Sequence, residues 1–412
     1  MAAFRLRPKG AITTAQTQPM LEPARALFAV WRPDRSGGVS QSRSQARAGV
    51  PGNEVALLVD GEQVFAAMLK AFEHACFSIC VETYIFAADR TGSRFLQALS
   101  DAALRGVRVH VLIDGVGSMG TSPAFFEPLR QAGGHVAVFH PLRLWGPIRA
   151  LWRRDHRKLM VIDGRIGFIG GLNICDAHAS VLAGGGGWHD MHAQLCGPAA
   201  YEMALLFAQT WRRAKSAGVQ PPLLPRPEAQ GAVTVQILDG LYRRRRSIRG
   251  AYAQAVRRSK HSIRICSAYF IPDRAFIRAL QSARKRGVVV QILLAGATDV
   301  AMVQWASRSL YQKLLEQGVE LFEWQAQVLH AKTMVCDGHW CCIGSYNMDR
   351  RSLLYNLEAN MACEDDALGE ALEAQFFADI QGSKKIMKHL WHRRPILQKV
   401  LERIFYFLRY WL

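Results

Sequence analysis

One stretch of this chain occurs twice, and the duplication narrows what the chain can fold into. The first copy runs His156-Arg157-Lys158-Leu159-Met160-Val161-Ile162-Asp163-Gly164 and continues to Gly170-Gly171-Leu172-Asn173. The second runs His330-Ala331-Lys332-Thr333-Met334-Val335-Cys336-Asp337-Gly338, then Gly344-Ser345-Tyr346-Asn347. In both, His is followed by Lys at +2, Asp at +7, Gly at +14 and Asn at +17. One such match could be chance; two copies with five matched positions, 174 residues apart, make chance improbable.

Each copy reads as a β-hairpin. The apolar run Leu159–Ile162 meets the turn Asp163-Gly164, and 166–169 returns. Residues two apart on a strand share a face, so His156 and Lys158 point together, as do His330 and Lys332. Asn173 and Asn347, near the ends of the return strands, come back towards the histidines. An ammonium and an amide suit a phosphate oxyanion, one as a point charge and the other through N–H donors. Two imidazoles suit substitution at a phosphodiester: one attacks phosphorus while neutral, and the other protonates the leaving alkoxide. Histidine reaches both forms near neutral pH. The scheme requires no metal and no cofactor. Asp163 and Asp337 sit in the turns, at the far end of each strand from its His, and read as structural turn formers and charge partners. Glu358, in Asn356-Leu357-Glu358, can reach His330 Nδ1 and orient it; its counterpart after the first motif is Asp190.

The repeat extends beyond the motifs. A strand is predicted at 55–59, followed by helical spacing of Val64, Phe65, Met68, Leu69 and Phe72. Then come a strand at 79–86, a helix at 92–105 and a strand at 107–113. The order returns as a helix at 251–260, a strand at 263–271, a helix at 273–286 and a strand at 288–294. Arg105-Gly106-Val107 matches Arg286-Gly287-Val288. The predicted class is α/β: two similar α/β/α sandwich domains, 51–215 and 233–383, related by a pseudo-twofold with the active site at their interface. A Pro-rich linker, 216–232, joins them.

Net charge is +19, which points to a polyanionic partner, either nucleic acid or anionic lipid. The nine cysteines are scattered, and Cys76, Cys80 and Cys266 read as core residues of a protein in a reducing compartment. No apolar run reaches the roughly 18 residues of a membrane span, so the protein is expected to be soluble or peripheral. Residues 1–50 read as a basic disordered segment, with a transit peptide as the alternative. In 141–154, Trp145 and Trp152 lie among Arg143, Arg149, Arg153 and Arg154, a composition that fits a lipid-facing flap, with a buried helix with a charged edge as the alternative. Residues 384–412 read as a basic, aromatic membrane-surface tail, with a docked helix as the alternative. Arg243 to Arg246 suit either a solvated loop or a headgroup contact. His178, His189 and His192 beside Gly184 to Gly187 match no standard metal spacing and suggest a flexible active-site loop.

The double motif resembles the signature of the phospholipase D superfamily. Glu82-Thr83-Tyr84-Ile85-Phe86, Leu112-Ile113-Asp114-Gly115 and Asn356-Leu357-Glu358-Ala359-Asn360 extend the resemblance to bacterial cardiolipin synthases of the short, peripheral type, from Glu54 to the C-terminal tail. That resemblance implies phosphatidyl transfer between two phosphatidylglycerol molecules through a phosphohistidine, with release of glycerol. It implies His156 as nucleophile and His330 as acid/base. Lys158, Lys332, Asn173 and Asn347 would then hold the phosphate, with an acidic residue at Glu358 and at Asp190. Glu82, Tyr84, Ser345 and Gly171 would be substrate contacts. Gly171 stands where the superfamily often has Ser, as in Ser345. The expected partners are anionic phospholipids at the cytoplasmic face of the cell membrane, with no nucleic acid. The alternatives are a phospholipase D-type hydrolase, a nuclease of the same superfamily, and a non-catalytic lipid-binding protein.

Overall fold

The computed structural model describes residues 49–141, 152–214, 218–240 and 246–410. The first half supplies seven strands: β1 (Val50–Val59), β2 (Ser78–Thr83), β3 (Arg108–Asp114), β4 (His135–Phe139), β5 (Leu159–Ile162), β6 (Ile166–Gly170) and β7 (Met191–Cys196). The second supplies β8 (Val233–Asp239), β9 (Ser262–Ser267), β10 (Val289–Ala295), β11 (Glu320–Trp324), β12 (Lys332–Cys336), β13 (Trp340–Gly344) and β14 (Ala359–Glu364), with β15 (Ser383–Lys385) on its edge. The sheet order is β15-β11-β10-β9-β12-β13-β14-β8-β1-β7-β6-β5-β2-β3-β4. Apart from β15, the order in one half mirrors that in the other, and β1 pairs with β8 at the seam. The duplication read from the sequence is therefore a duplication of topology.

Local chemistry explains the elements. The runs that become β2, β3, β5 and β12 are mostly apolar and almost fully buried, as expected for strands covered on both faces. The pairs β2–β3 and β9–β10 are parallel and need crossovers. The helices Arg90–Leu104 and Arg274–Lys285 provide them, N-capped by Asp89 and Asp273. Helix Asp60–Glu73 buries Val64, Phe65, Met68, Leu69 and Phe72, the spacing read from sequence. Each half has its own apolar core, and a third cluster joins Phe207 and Leu159 of the first half to Ile343 and Phe376 of the second.

The predicted linker does not separate two bodies. The sheet runs unbroken through the seam, and Gln230 N–H donates to Gly52 O. The C-terminal segment is also more docked than a free tail. Strand β15 pairs with β11, and Phe405 and Tyr406 of helix Ile396–Phe407 pack against a small core of Ile271, Val303 and Ala306. Its Glu402 is buried against Arg394. The opposite side leaves Ile396, Leu397, Val400, Ile404 and Phe407 exposed. Cys76 is exposed, against the core reading, whereas Cys80 and Cys266 are buried. Among the described residues no helix is long and apolar enough to cross a membrane. Residues 1–48, 142–151 and 241–245 lie outside the described residues, so the N-terminal segment, most of the Trp/Arg stretch and Arg243 to Arg245 carry no structural account.

Candidate active site

The turn aspartates behave as their position suggests. Asp163 and Asp337 take φ of 52° and 55°, where aspartate is tolerated better than most residues. The Asp163 carboxylate accepts the backbone N–H groups of Cys76, Phe77 and Ser78. Asp337 accepts those of Lys260, His261 and Ser262. Burial works against the Asp337 anion, but these three donors win and hold its pKa below the usual value. Each Asp thus ties its hairpin turn to the loop before the neighbouring strand, far from the histidines. These are backbone contacts rather than the charge pairing also anticipated.

At the other end, the two halves exchange backbone. Asp155 bridges Leu357, and His189 bridges Leu329. His156 N–H donates to Leu357 O, and His330 N–H to His189 O, at 3.0 and 2.7 Å. The residue after each bridge is an acid, and it therefore lies beside the histidine of the other half. Glu358 meets His156 Nδ1 with both oxygens at 3.1 Å. Asp190 meets His330 Nδ1 at 2.6 Å. This corrects the sequence assignment: both acids are paired with a histidine, but crosswise. Adjacency along the chain favoured the pairing within each half; the pseudo-twofold exchanges them.

With Nδ1 engaged by a carboxylate, Nε2 is the nitrogen left for chemistry at each imidazole. Lys158 Nζ donates to His156 O at 2.8 Å, and Lys332 Nζ donates to His330 O. Asn173 Oδ1 accepts from Ile85 N–H, which turns its NH₂ away from that anchor. Asn347 Oδ1 is buried without a partner among the described residues. Tyr84 stands edge-on to His156, with Lys158 Nζ 5.2 Å from its ring centroid. On the other side, Trp188 and His178 pack against His330.

The electrostatics of the site favour neutral imidazoles. Burial lowers the His156 pKa, against the pull of Glu358. Burial, then the ammoniums of Lys332 and Lys158, hold His330 well below its ordinary value. The same burial lowers Lys332 and brings Lys158 down to about 7. Lys332 adds to the lowering at Lys158, and the nearby carboxylates of Glu358 and Asp190 oppose it. His178, Asp190 and His330 bring donor atoms within 4.8 Å of one another, but the Asp190 oxygen is already engaged by His330.

Two expected substrate contacts have other work. Ser345 Oγ donates to Glu358 Oε2 at 2.6 Å and accepts from Ala359 N–H, so it braces the carboxylate. Glu82 is fully buried with Arg157, whose Nη1 also donates to Thr210 Oγ1. Burial raises the pKa of both Glu82 and neighbouring Asp155, so two carboxyls share one guanidinium. Arg157 Nε also donates to Glu358 O and so holds that backbone. Gly171 is a space requirement: a Cβ there would stand 2.2 Å from an Asp190 oxygen.

Sequence reasoning missed Asp155 and Arg157, although they alternate with His156 and Lys158 and must face the other way. It also missed the role of His189. That ring donates between Asp60 and Asp379, at 2.8 and 3.1 Å, and ties the first half to helix Asp366–Gln381. Burial disfavours its charge, but the two carboxylates prevail and raise its pKa to about 10. His192 is buried on β7, where its Nδ1 accepts from Leu172 N–H at 3.4 Å. The Gly184 to Gly187 stretch forms a hydrogen-bonded turn held by Ser180, Asp176 and Ala179. Arg154 is buried against Asp114, whereas Trp152 and Arg153 are half-buried.

Comparison with known proteins agrees with this architecture. Residues 68–180 and 252–380 match the family model described as cardiolipin synthase, PLD-like domain. The cardiolipin synthase of Geobacillus thermodenitrificans strain NG80-2 is 34% identical over 358 residues, covering 85% of this chain and 71% of that protein. The cardiolipin synthase of Listeria welshimeri is 33% identical over 356 residues, covering 85% and 74%. The crystal structure of phosphatidylserine synthase from Haemophilus influenzae Rd KW20 superposes with a TM-score of 0.67 at 13% identity, over 86% of this chain and 93% of that one, a likeness of fold. With both halves matched by one family model, and a duplicated His-Lys-Asn site at their junction, the chain belongs to the cardiolipin synthase family of phospholipase D-like enzymes.

Proposed function

We propose that this protein makes cardiolipin by transferring a phosphatidyl group from one phosphatidylglycerol to another. The observation that carries the reading is the pair of imidazoles, each held at Nδ1 by a carboxylate from the opposite half. His156 Nε2 attacks phosphorus of the donor lipid, and a P–N bond forms as the P–O bond to glycerol breaks. His330 gives its proton to the departing glycerol oxygen. It then takes the proton of the acceptor hydroxyl, whose oxygen attacks phosphorus and expels His156. Lys158, Lys332, Asn173 and Asn347 supply cationic and N–H contacts to the non-bridging oxygens, where charge builds in the transition state. Phosphate binding raises the pKa of both histidines, which allows His330 to carry the proton it must donate.

The donor, the acceptor and the role of each histidine rest on the family relation. The protein acts at the cytoplasmic face of the cell membrane, without spanning it. Net charge of +19 and the exposed apolar side of helix Ile396–Phe407 support that placement.

Incubating the protein with phosphatidylglycerol vesicles and analysing products by mass spectrometry tests the reading. Cardiolipin and free glycerol are expected, and both are lost in His330→Ala. Phosphatidic acid alone means a hydrolase. Cleavage of single-stranded DNA with no lipid product means a nuclease. Trapping the covalent adduct in His330→Ala should locate it on His156; a stable adduct formed by His156→Ala overturns the assignment of roles.

A further inference from the structure

The two orienting acids are held by different means. Glu358 is braced by a hydroxyl, Ser345 Oγ at 2.6 Å. Gly171 stands at the matching position beside Asp190 and offers no hydroxyl, yet Asp190 has the same task at His330. Asp190 is held through its backbone instead. Its N–H donates to Asp60 Oδ1 at 3.0 Å, and Asp60 N–H donates to Asp190 O at 2.9 Å. Asp60 takes φ of 57°, a left-handed conformation that persists only where its surroundings support it.

His189 supplies that support. Its Nδ1 donates to the same Asp60 oxygen at 2.8 Å, and its Nε2 donates to Asp379 Oδ2 at 3.1 Å. The other Asp379 oxygen accepts from Gln375 Nε2 at 2.7 Å, so this carboxylate is itself fixed on helix Asp366–Gln381. The His189 ring stacks on Trp324 of β11, with centroids 4.8 Å apart. Burial disfavours a charge on this ring, but the two carboxylates prevail and raise its pKa to about 10, so it is an imidazolium at neutral pH.

The pseudo-twofold supplies a control. The counterpart of His189 is Leu357. Each directly precedes an orienting acid, and each accepts the N–H of a motif histidine. Each also donates its own N–H to the residue two positions before that histidine, Val328 for His189 and Arg154 for Leu357. Leu357 is buried and apolar. The exchange of backbone between the halves therefore needs no ring and no charge. The ionic clamp is an addition, made on the side that lacks the serine.

We infer that His189 is a positioning residue for the acid/base half of the site: by gripping Asp60 and Asp379 it holds the Asp190 carboxylate against His330, the work that Ser345 does for Glu358. The inference rests on the reading of His330 as acid/base given above.

The test measures cardiolipin formed from phosphatidylglycerol vesicles by full-length protein at neutral pH, divided by the folded fraction that circular dichroism gives at the assay temperature. His189→Gln should lower kcat about tenfold, as loss of a hydrogen bond to a charged group does, and leave KM within about twofold. Asp379→Asn, at the far end of the clamp, should lower kcat at least about threefold and serves in its place if His189→Gln does not fold. The deciding measurement combines variants. In an Asp190→Asn background the clamp variant should lose nothing further, because the carboxylate it places is gone. In a Glu358→Gln background it should still lose its full factor. Equal loss in both backgrounds would mean a general structural role and overturn the inference. Unchanged kcat per folded molecule in the clamp variant also overturns it. Failure of the phosphatidyl-transfer reading shows separately, in wild type that yields phosphatidic acid or no lipid product; with phosphatidic acid as product, the same comparison is made on it.

Discussion

The two motifs present the same face to the site and different faces to the protein behind it. In the first copy, Asp155 and Arg157 alternate with His156 and Lys158, and they meet Glu82 and Thr210 in a sealed ionic network. In the second copy the matching positions are Leu329 and Ala331, both buried and apolar. Glu82 pairs with Leu159, and Cys266 pairs with Thr333, so Cys266 is the second-half counterpart of Glu82. One hairpin is thus backed by charges and the other by packing, yet both deliver His and Lys to the same junction. The chemistry constrains the front of the strand, and the back needs only to be filled and satisfied. The orienting acids differ in the same way. Glu358, one methylene longer, is braced by Ser345; Asp190 is shorter and sits where Gly171 leaves room.

The largest effects should come from breaking the crossed pairs. Glu358→Gln and Asp190→Asn keep volume but remove the charge that orients each imidazole. Each should lower kcat by about 10² to 10⁴-fold, as loss of a His-orienting carboxylate does. Because the pairs are crossed, His156→Ala with Glu358→Gln should be no slower than His156→Ala alone, as double-variant kinetics will read. Making the first copy resemble the second, by Gly171→Ser, should be nearly as harmful, because the new side chain meets the Asp190 carboxylate. Ser345→Gly in the second copy should cost only about tenfold, the loss of one hydrogen bond to a charged group.

Next comes the back of the first strand. Arg157→Met leaves the buried Glu82 and Asp155 carboxyls without their cation and should destabilise by about 3–5 kcal/mol in denaturant unfolding. Importing the second copy's residues together, as Glu82→Cys/Asp155→Leu/Arg157→Ala, should recover most of that loss. Failure to recover would show that the ionic network cannot be exchanged for packing. The turn aspartates should respond alike. Asp163→Ala and Asp337→Ala each free three backbone N–H groups and should lose about 1–3 kcal/mol of stability, with turnover per folded molecule retained.

The smallest effects are in pH dependence, where His189 and His192 oppose each other. His189, raised to about 10, binds its proton more tightly folded than unfolded. Its contribution is complete below the ordinary imidazole value and is lost as pH rises towards 10. His192, lowered to about 4 by burial, refuses a proton that the unfolded chain accepts. Stability therefore falls as pH drops from about 6.5 towards 4. Unfolding profiles of His189→Gln and His192→Gln should flatten the alkaline and acid limbs respectively.

Much of the fold was legible because its signals are local. The hydrophobic spacing of helix Asp60–Glu73 and the apolar run of β3 lie within about one turn or strand of themselves. The Asp-Gly turns at 163 and 337 are fully local too, and their φ values follow from residue type. The role of Ser345 was not legible. A hydroxyl after a motif glycine reads as a substrate contact until the Glu358 carboxylate is seen beside it. His189 looked like one of three histidines in a glycine-rich loop, and only Asp60 and Asp379, 129 residues before it and 190 after it, make it a clamp.

Duplication, hairpin register and the convergence of His, Lys and Asn at one end of each hairpin were set by the sequence alone, because each depends on spacing within one strand and its return. Which acid serves which histidine was decided only in three dimensions. The pseudo-twofold brings Leu357 to Asp155 and Leu329 to His189, and so delivers each carboxylate to the opposite half. The same assembly sets His189 between Asp60 and Asp379 and leaves one side of the C-terminal helix uncovered. Such features depend on contacts between segments whose sequences carry no record of one another.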